Sequence, residues 1–462
     1  MKSFLLKTSL ALMIPLMLGS CSKFLERPPE GQLTEEELFK TEDDVVAFTN
    51  GIYTLVGDNA FMGGRKQLLS ELLGDEYRGE FFTGDYAEIY RRANSIFGGT
   101  RDDFYRKAYD VAGRSNIVLS HLDLASTRKN EIEGTAKFFR AIAHFEVVRM
   151  FAQPWGFTND NSHPGVPLRT ELNLGSVNRS TVKEVYDQVI ADLKAADDLL
   201  PEAPANAKYY SVTKWAARAY LAKVYFQQND FTNAFKYADE VIKSNRFLLD
   251  TDLDQRYSLG GSTEGILSIE YSINFYMPGG ELKGAFRSDV GLPNFRFTDQ
   301  YFGIATARGA DKRREWYTNT LQPGFNLLTK YNKNEFDVPL VHLTEIQLIR
   351  AESAAETGAA NLATGISDIN AIMTRAYGGT AFNLPSSANA ALVISTTRTE
   401  RELELVGEGN RVQEIKRIGA RSGANIDRRG SVWNCNGMIL QFPKGEQDAF
   451  PGFVMNAEGG CF

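Results

Sequence analysis

Three carboxylates, Glu400, Glu404 and Glu408, recur at intervals of four, which on a helix places them along one ridge. Carboxylates sharing a face are the raw material of a glycosidase pair or a divalent-metal site. Their neighbours argue against both. Arg401 precedes Glu404 by three positions and Arg411 follows Glu408 by three, so the expected arrangement is a neutralised ion-pair ridge holding the helix to the scaffold. Asp250, Asp252 and Asp254 copy the first half of a calcium loop. Gln255 stands where that loop needs glycine, and no glutamate closes it at the twelfth place, so the stretch reads as a solvated turn. His121, His144, His163 and His342 are scattered and never paired at HExxH spacing, which predicts structural roles for each. There is no GxSxG, Walker loop, CxxC or dinucleotide glycine pattern. The reading is therefore a protein without catalysis, with no catalytic residue, metal ligand or cofactor assigned.

The positive signal is aromatic. Sugars and extended peptides dock on ring faces, which offer flat apolar area at little entropic cost while polar neighbours fix orientation. Two Gly-punctuated stretches carry such rings, 74–97 and 271–325. The ligand-binding candidates drawn from them are Tyr77, Phe81, Phe82, Tyr86, Tyr276, Trp316 and Tyr317. The competing reading fills a local core beneath the loops with these rings, and for any single ring that is the commoner fate. Trp215 sits on a helical face and reads as packing.

The elements that must position these loops are helices. Ser211 to Asn245 shows apolar and small residues every three or four positions, with a Gln228-Asn229-Asp230 break whose Asp230 can cap the second helix. Leu-Ala-x-x-Tyr, then Asn229, then Phe231 and Ala234, resembles a tetratricopeptide hairpin, with Ala222 and Ala234 allowing close backbone approach. Ala351, Ala354, Gly358 and Ala363 repeat the spacing of Ala222, Tyr225, Asn229 and Ala234. A lone hairpin cannot bury its apolar face, so the predicted fold is mainly α: a tetratricopeptide-like helical-hairpin scaffold with long irregular loops and a few short strands. Scaffold is expected over about 34–56, 103–245 and 340–420, and ligand loops over about 57–102 and 250–335. Thr34, with Glu37 three residues on, is the predicted cap of the first helix.

Compartment is written at the start of the chain. Lys2 and Lys7 form a basic n-region before a charge-free run from Thr8 to Ser20, shorter than the ~20 residues of a spanning helix. Leu18-Gly19-Ser20-Cys21 resembles a bacterial lipobox, so residues 1–20 read as a signal peptide and Cys21 as the lipidated residue. Residues 21–33, with Pro28-Pro29, form a tether, and 34–462 a single domain. Cys435 and Cys461 then remain in an oxidising compartment and are predicted to pair. The 462 residues carry 43% hydrophobic and 24% charged side chains with a net charge of −7, a globular composition that excludes nucleic acid as a partner, since no basic run is present.

Longer motifs extend the reading. Arg140-Ala141, His144-Phe145, Val147-Val148-Arg149 and Phe151 precede Trp155-Gly156 and Gly165-Val166-Pro167-Leu168. Further on stand Thr263 to Ile269, Asp311-Lys312-Arg313, Lys330-Tyr331, Asp337-Val338-Pro339 and Leu343 to Glu352. Glu400-Arg401, Glu404-Leu405, Glu408-Gly409, Arg411 and Glu414 to Arg417 form the most specific block, and Phe442-Pro443 with Glu446 closes the series. The whole resembles the SusD/RagB family of outer-membrane lipoproteins of Bacteroidetes. It departs from the family pattern at His342, Val412 and Glu414, where Arg, Trp and Asp are usual. The resemblance implies a SusD-like fold and a lipid-anchored, surface-exposed outer-membrane receptor of polysaccharide utilisation. Such a receptor binds an oligomeric nutrient, usually a glycan and less often a peptide, and delivers it to a SusC-like TonB-dependent transporter. An exported glycan hydrolase is the alternative from another class. The family's ligand contacts lie outside its shared motifs, so the aromatic candidates rest on loop position alone.

Overall fold

The computed structural model describes residues 35–172, 175, 177–203, 209–272 and 277–461. The signal peptide, Cys21, the tether, Thr34 and Tyr276 lie outside these residues.

After a single helical turn at Glu35–Leu38, the first long helix is α1 (Glu42–Gly57). Its cap is Thr41, whose hydroxyl accepts the Asp44 N–H while the Asp44 carboxylate accepts the Thr41 N–H, a reciprocal capping box. The helical scaffold continues through α2 (Arg65–Leu73), α3 (Gly84–Tyr90), α4 (Gly99–Ser120), α5 (Lys129–Phe151), α6 (Val182–Leu199), α7 (Lys214–Gln227) and α8 (Phe231–Lys243). It resumes after α9 (Gly280–Phe286) and α10 (Asp299–Thr306) with α11 (Leu343–Glu356), α12 (Ala359–Tyr377), α13 (Ala390–Glu404) and α14 (Arg411–Ser422), and α15 (Lys444–Ala449) lies near the end. Neighbours in this series stack side by side: α4 on α5, α5 on α6, α6 on α7, α7 on α8, α8 on α11, and α11 on α12 and α13. Each hairpin thus covers the apolar face of the next, the logic of a helical repeat.

Local chemistry explains both predicted hairpins. Asp230 accepts the Asn233 N–H at 3.1 Å, and Asn229 adopts φ +60°, the left-handed conformation that Asn tolerates better than most residues. Gly358 fills the equivalent turn with φ +104°. Ala222, Ala234, Ala351 and Ala354 are fully buried at the helix contacts, and Tyr225 stacks on Tyr237 with centroids 5.7 Å apart.

Short strands pair outside the helices. β1 (Pro164–Pro167) joins β2 (Arg179–Thr181), β3 (Gly265–Ile269) joins β6 (Val338–His342), and β4 (Tyr317–Thr318) joins β5 (Leu327–Leu328), all antiparallel. One hydrophobic core lies among α1 and α4 to α8, and a second gathers α2, α9, α10 and the aromatic segments between them.

Two expectations about the scaffold need correction. The stretch 57–102 is not loop throughout: α2 is a nine-residue buried helix, missed because its leucines are interleaved with Lys66, Gln67, Ser70 and Glu71, which are buried too. The carboxylate ridge also differs. α13 ends at Glu404, so Glu408 lies in the following turn. Arg401 pairs with Glu414 at 3.2 Å and with Glu345 at 3.5 Å, not with Glu404, and Arg411 pairs with Asp75 at 2.7 Å, not with Glu408. Glu400 instead receives Arg313 at 2.6 Å, Glu404 receives Arg375 at 2.8 Å, and Glu408 receives Lys330 at 2.9 Å and His342 at 3.0 Å. Burial works against ionising Glu404, yet Arg375, Arg313 and Arg256 hold it below the ordinary carboxylate range. Partners distant in sequence win because the pairs sit where solvent no longer screens them.

Asp250 is likewise no solvated turn residue. It is buried and takes the Ser262 hydroxyl at 2.7 Å and the Thr263 N–H at 2.6 Å. Among the described residues no group of three or more His, Cys, Asp or Glu is placed to hold a metal ion. His144 is buried, bridging the Arg140 carbonyl and the Arg169 N–H, and burial pushes its pKa down to about 4.

The C-terminal tail folds back onto the first core. Leu440 donates its N–H to the Met150 carbonyl at 2.8 Å, and Asn456 caps the end of α5 through the Phe151 carbonyl at 2.7 Å. Cys435 and Cys461 stand with sulfurs at bonding distance and Cα atoms 5.2 Å apart.

Candidate functional site

The two aromatic stretches meet. Tyr77 and Phe297 form an antiparallel bridge, the Arg78 N–H donates to the Arg296 carbonyl at 2.8 Å, and the Thr298 N–H donates to the Glu76 carbonyl at 2.9 Å. The Phe297 N–H reaches the Asn326 carbonyl at 2.9 Å, so segments 76–78, 296–298 and the turn before β5 lie side by side.

Alternation then sorts their side chains. Phe295 and Phe297 enter the second core, joined by Tyr77, Phe286, Tyr301 and Tyr317. Four of the predicted ligand-binding rings therefore belong to the floor: Tyr77 at 1% exposure, Phe82 at 6%, Trp316 at 2% and Tyr317 at 7%. Their interior place is a correction with a plain cause. A long loop layer in a protein of this size needs its own apolar filling, and these rings supply it. Trp316 is further tied by its Nε1–H to Asp254 at 3.0 Å and covered by the Lys330 ammonium 4.3 Å from its centroid. The Tyr301 and Tyr317 hydroxyls meet at 3.1 Å.

What remains at the surface is smaller and more polar. Phe81 and Phe325 are both partly exposed and meet edge to face, centroids 5.6 Å apart. Between them, and itself only 7% exposed, Arg296 holds its guanidinium 3.5 Å from the Phe81 centroid and 4.5 Å from that of Phe325. Arg296 Nε–H donates to the Pro293 carbonyl at 2.8 Å, and among the described residues no protein acceptor takes its terminal N–H groups. Burial under the rings, with Arg78 nearby, lowers its pKa from the ordinary arginine value. Arg78 lies 5.6 Å over Phe81 and pairs with Glu80 at 3.2 Å. Asn326 and Asp299, bonded at 2.7 Å, and the hydroxyls of Thr318 and Thr320 lie on the same turn system. Tyr86 is half-buried at the flank, 6.2 Å from Phe295, with Arg65 and Glu281 nearby; burial pushes its phenol up to about 12.

This arrangement can stack a flat apolar face against a ring while a pre-oriented guanidinium donates to hydroxyl or carboxylate oxygens. It is an open platform, which suits an extended chain better than an engulfed small molecule. Of the sequence candidates, Phe81 and Tyr86 stay partly accessible. Arg78, Arg296 and Phe325 were missed, although Phe295-Arg296-Phe297 carries the alternating apolar-polar signal of a strand with one polar face. Cavities also exist elsewhere. One of about 980 Å³ is lined by Phe39, Phe48, Tyr105, Tyr109 and Arg169, and one of about 590 Å³ by Tyr53, Arg128, Glu131 and Tyr210 together with Leu267 and Ile269 of β3; neither is lined by Phe81, Arg296 or Phe325.

A family model described as starch-binding associating with outer membrane matches residues 23–226, and the model of the SusD family matches residues 201–453. SusD-like protein P2 of Formosa agariphila is 28% identical over 267 residues, 56% of this chain and 51% of that protein. SusD-like protein P38 of the same organism is 25% identical over 60% of this chain and 56% of its own length. The chain spans about half the length of the curated relatives it matches. Among solved structures, a SusD superfamily protein from Bacteroides vulgatus superposes with a TM-score of 0.79 at 22% identity, covering 90% of this chain and 99% of that one. A SusD-like carbohydrate binding protein from the same species superposes with a TM-score of 0.69 at 19% identity, over 82% and 84% of the two chains.

Proposed function

The chain belongs to the SusD family, and from that premise we propose that it is a receptor that captures an oligomeric glycan on the platform around Phe81, Arg296 and Phe325. Cys21 is the lipid attachment point that holds it on the outer membrane, surface-exposed, and a SusC-like TonB-dependent transporter takes the cargo. One observation carries the reading: a guanidinium clamped between two partly exposed rings, with its terminal N–H groups unclaimed, on a loop layer many of whose other rings are locked in a core. The description of the matching family model and the carbohydrate-binding relative of like fold support the same ligand class.

Capture without turnover needs only modest affinity, because a ligand held too tightly is not handed on. The rings and guanidinium supply contact area and orientation, and no step requires an acid, a base or a nucleophile. Binding of soluble glycans by calorimetry, beside an assay for new reducing ends, tests the proposal. Saturable binding that drops in Phe81→Ala and Arg296→Ala, with no new ends, is the expected result. Turnover abolished by a single carboxylate substitution would favour the hydrolase instead, and binding of peptides alone would favour the peptide receptor. Acyl-chain labelling of wild type but not of Cys21→Ala tests the anchor.

A further inference from the structure

Glu71 on α2 and Glu76 just beyond its end are buried, with 1% and 2% of their surface exposed, and neither belongs to an ion pair among the described residues. The carboxylate between them in sequence, Asp75, has taken the nearby cations: Arg411 at 2.7 Å and Arg428 at 2.8 Å. Glu71 accepts the Gly409 N–H at 2.7 Å through one oxygen. The other Glu71 oxygen, and one oxygen of Glu76, find no donor apart from the partner carboxyl group. A hydrogen bond between two carboxyl groups exists only while one of them carries a proton.

The surroundings relieve this need only in part: Lys66 and Lys330 oppose the proton on Glu71, and Glu76 lines a cavity of about 580 Å³ with Arg401, Glu402 and Arg411. Lys66, on the same helix, is spent on the Glu408 carbonyl, and Lys330 on Glu408 and the carbonyls of Glu404 and Val406. Toward Glu76 stand Glu402, which raises its proton affinity, and Arg428, which opposes that and is itself bonded to Glu402 at 2.6 Å. Arg411 and the neutral phenols of Tyr77, Tyr301, Tyr317 and Tyr331 complete the shell. Burial pushes Glu71 up to about 7, and burial together with the Glu71 charge pushes Glu76 well above the ordinary carboxylate range.

Backbone geometry connects this pair to the platform. The Glu76 carbonyl accepts the Thr298 N–H, and two residues on, the Arg78 N–H holds the Arg296 carbonyl. Gly409, at φ +75°, lies so close to α2 that a Cβ there would stand 2.9 Å from the Gln67 Cα. The pair therefore ties α2, the Gly407–Asn410 turn and the root of segment 76–78 at one point.

We propose that Glu71 and Glu76 form a proton-dependent latch: with the proton shared, segment 76–78 is fastened to α2 and Arg296 is seated; without it, two like charges meet in the interior and the platform loosens. The latch exists whatever the platform binds, and its bearing on ligand capture rests on the reading above. An opened pair titrates near the ordinary carboxylate value of 4.5, whereas the closed pair keeps its proton to about 7 and beyond. Closure is therefore strongest below the open-state value and weakens as pH rises through the closed-state value.

Hydrogen exchange of the full-length protein without ligand, read by mass spectrometry on peptides covering 76–80 and 296–299 and corrected for intrinsic rates, tests this. Between about pH 5 and 7 wild-type protection should fall about tenfold per pH unit for each proton held only by the closed pair. Glu76→Gln, which keeps a donor and removes the charge, should flatten the slope. If that variant does not fold, Glu71→Gln serves the same purpose. A flat wild-type profile, or a slope that persists in the variant, overturns the latch and leaves the capture reading untouched, because no ligand is present. A pH slope in exchange combined with no glycan binding at any pH would keep the latch and defeat the receptor instead.

Discussion

Arg313 donates to Glu400 at 2.6 Å across 87 positions of sequence, with both side chains sealed from solvent. The same guanidinium reaches Asp311 at 2.7 Å and Glu404 at 3.3 Å, so one arginine joins the turn after α10 to the last helical turns of α13. Tyr377 on α12 adds its hydroxyl to Glu400 at 3.0 Å. A charge placed this deep is tolerable only while its partners are present.

Removing the cation should therefore cost far more than removing an exposed one. Arg313→Met is expected to lower unfolding free energy by about 3–5 kcal/mol in urea titrations, by leaving Asp311 without a cation in the interior and Glu400 with only the half-exposed Arg308. Lys444→Ala, from an exposed pair with Asp448, should change it by about 0.5 kcal/mol or less. Equal effects of the two would show that the network adds nothing to stability.

Platform and floor should separate cleanly in mutational data. Phe81→Ala and Arg296→Gln are expected to weaken glycan capture by about tenfold or more, roughly 1.5 kcal/mol, with melting temperature barely moved in Phe81→Ala and modestly lowered in Arg296→Gln, whose side chain is buried. Trp316→Ala should cost about 3–5 kcal/mol of stability because its ring is core. Tyr109→Ala, beside the larger cavity, serves as the control: loss of binding there with none at Phe81 would relocate the site.

Gly409 makes a stereochemical prediction. At φ +75° and with the Gln67 Cα in the way, Gly409→Ala should destabilise by about 1–3 kcal/mol, whereas Gly113→Ala, in helix α4 with nothing within 4 Å of the added carbon, should be neutral or stabilising. Thermal melts of the two variants side by side decide it, and similar melting temperatures would refute the close packing.

The bridge between Cys435 and Cys461 closes a span of 26 residues, for which chain entropy gives about 3 kcal/mol. A Cys435→Ser, Cys461→Ser double variant should lose about that much and release the tail that carries Asn456 onto α5. Alkylation of unfolded, unreduced wild type should label neither residue; two labelled thiols would dismiss the pairing.

Much of the scaffold was legible because its signals are local. Asp230, Asn229 and Gly358 act on backbone within a few residues, and small residues at helical spacing announce close packing wherever they occur. The helix α2 was hidden because its nine residues bury Lys66, Gln67, Ser70 and Glu71 along with its leucines, so no polar face marks its period. Arg401 and Arg411 misled for a related reason: spacing of three makes pairing possible, but only burial decides which of several carboxylates a guanidinium meets.

Order along the chain by itself determined a stack of helical hairpins, two ring-rich loop layers and the residues able to cap, turn and bridge, since each depends on neighbours within a few positions. Tertiary packing alone decided which rings are floor and which are platform. Tyr77 and Phe81 are four residues apart and chemically alike, yet one is enclosed by Phe286, Phe295 and Phe297 while the other covers Arg296. That difference arises from segments more than two hundred residues away, whose arrival no local pattern encodes.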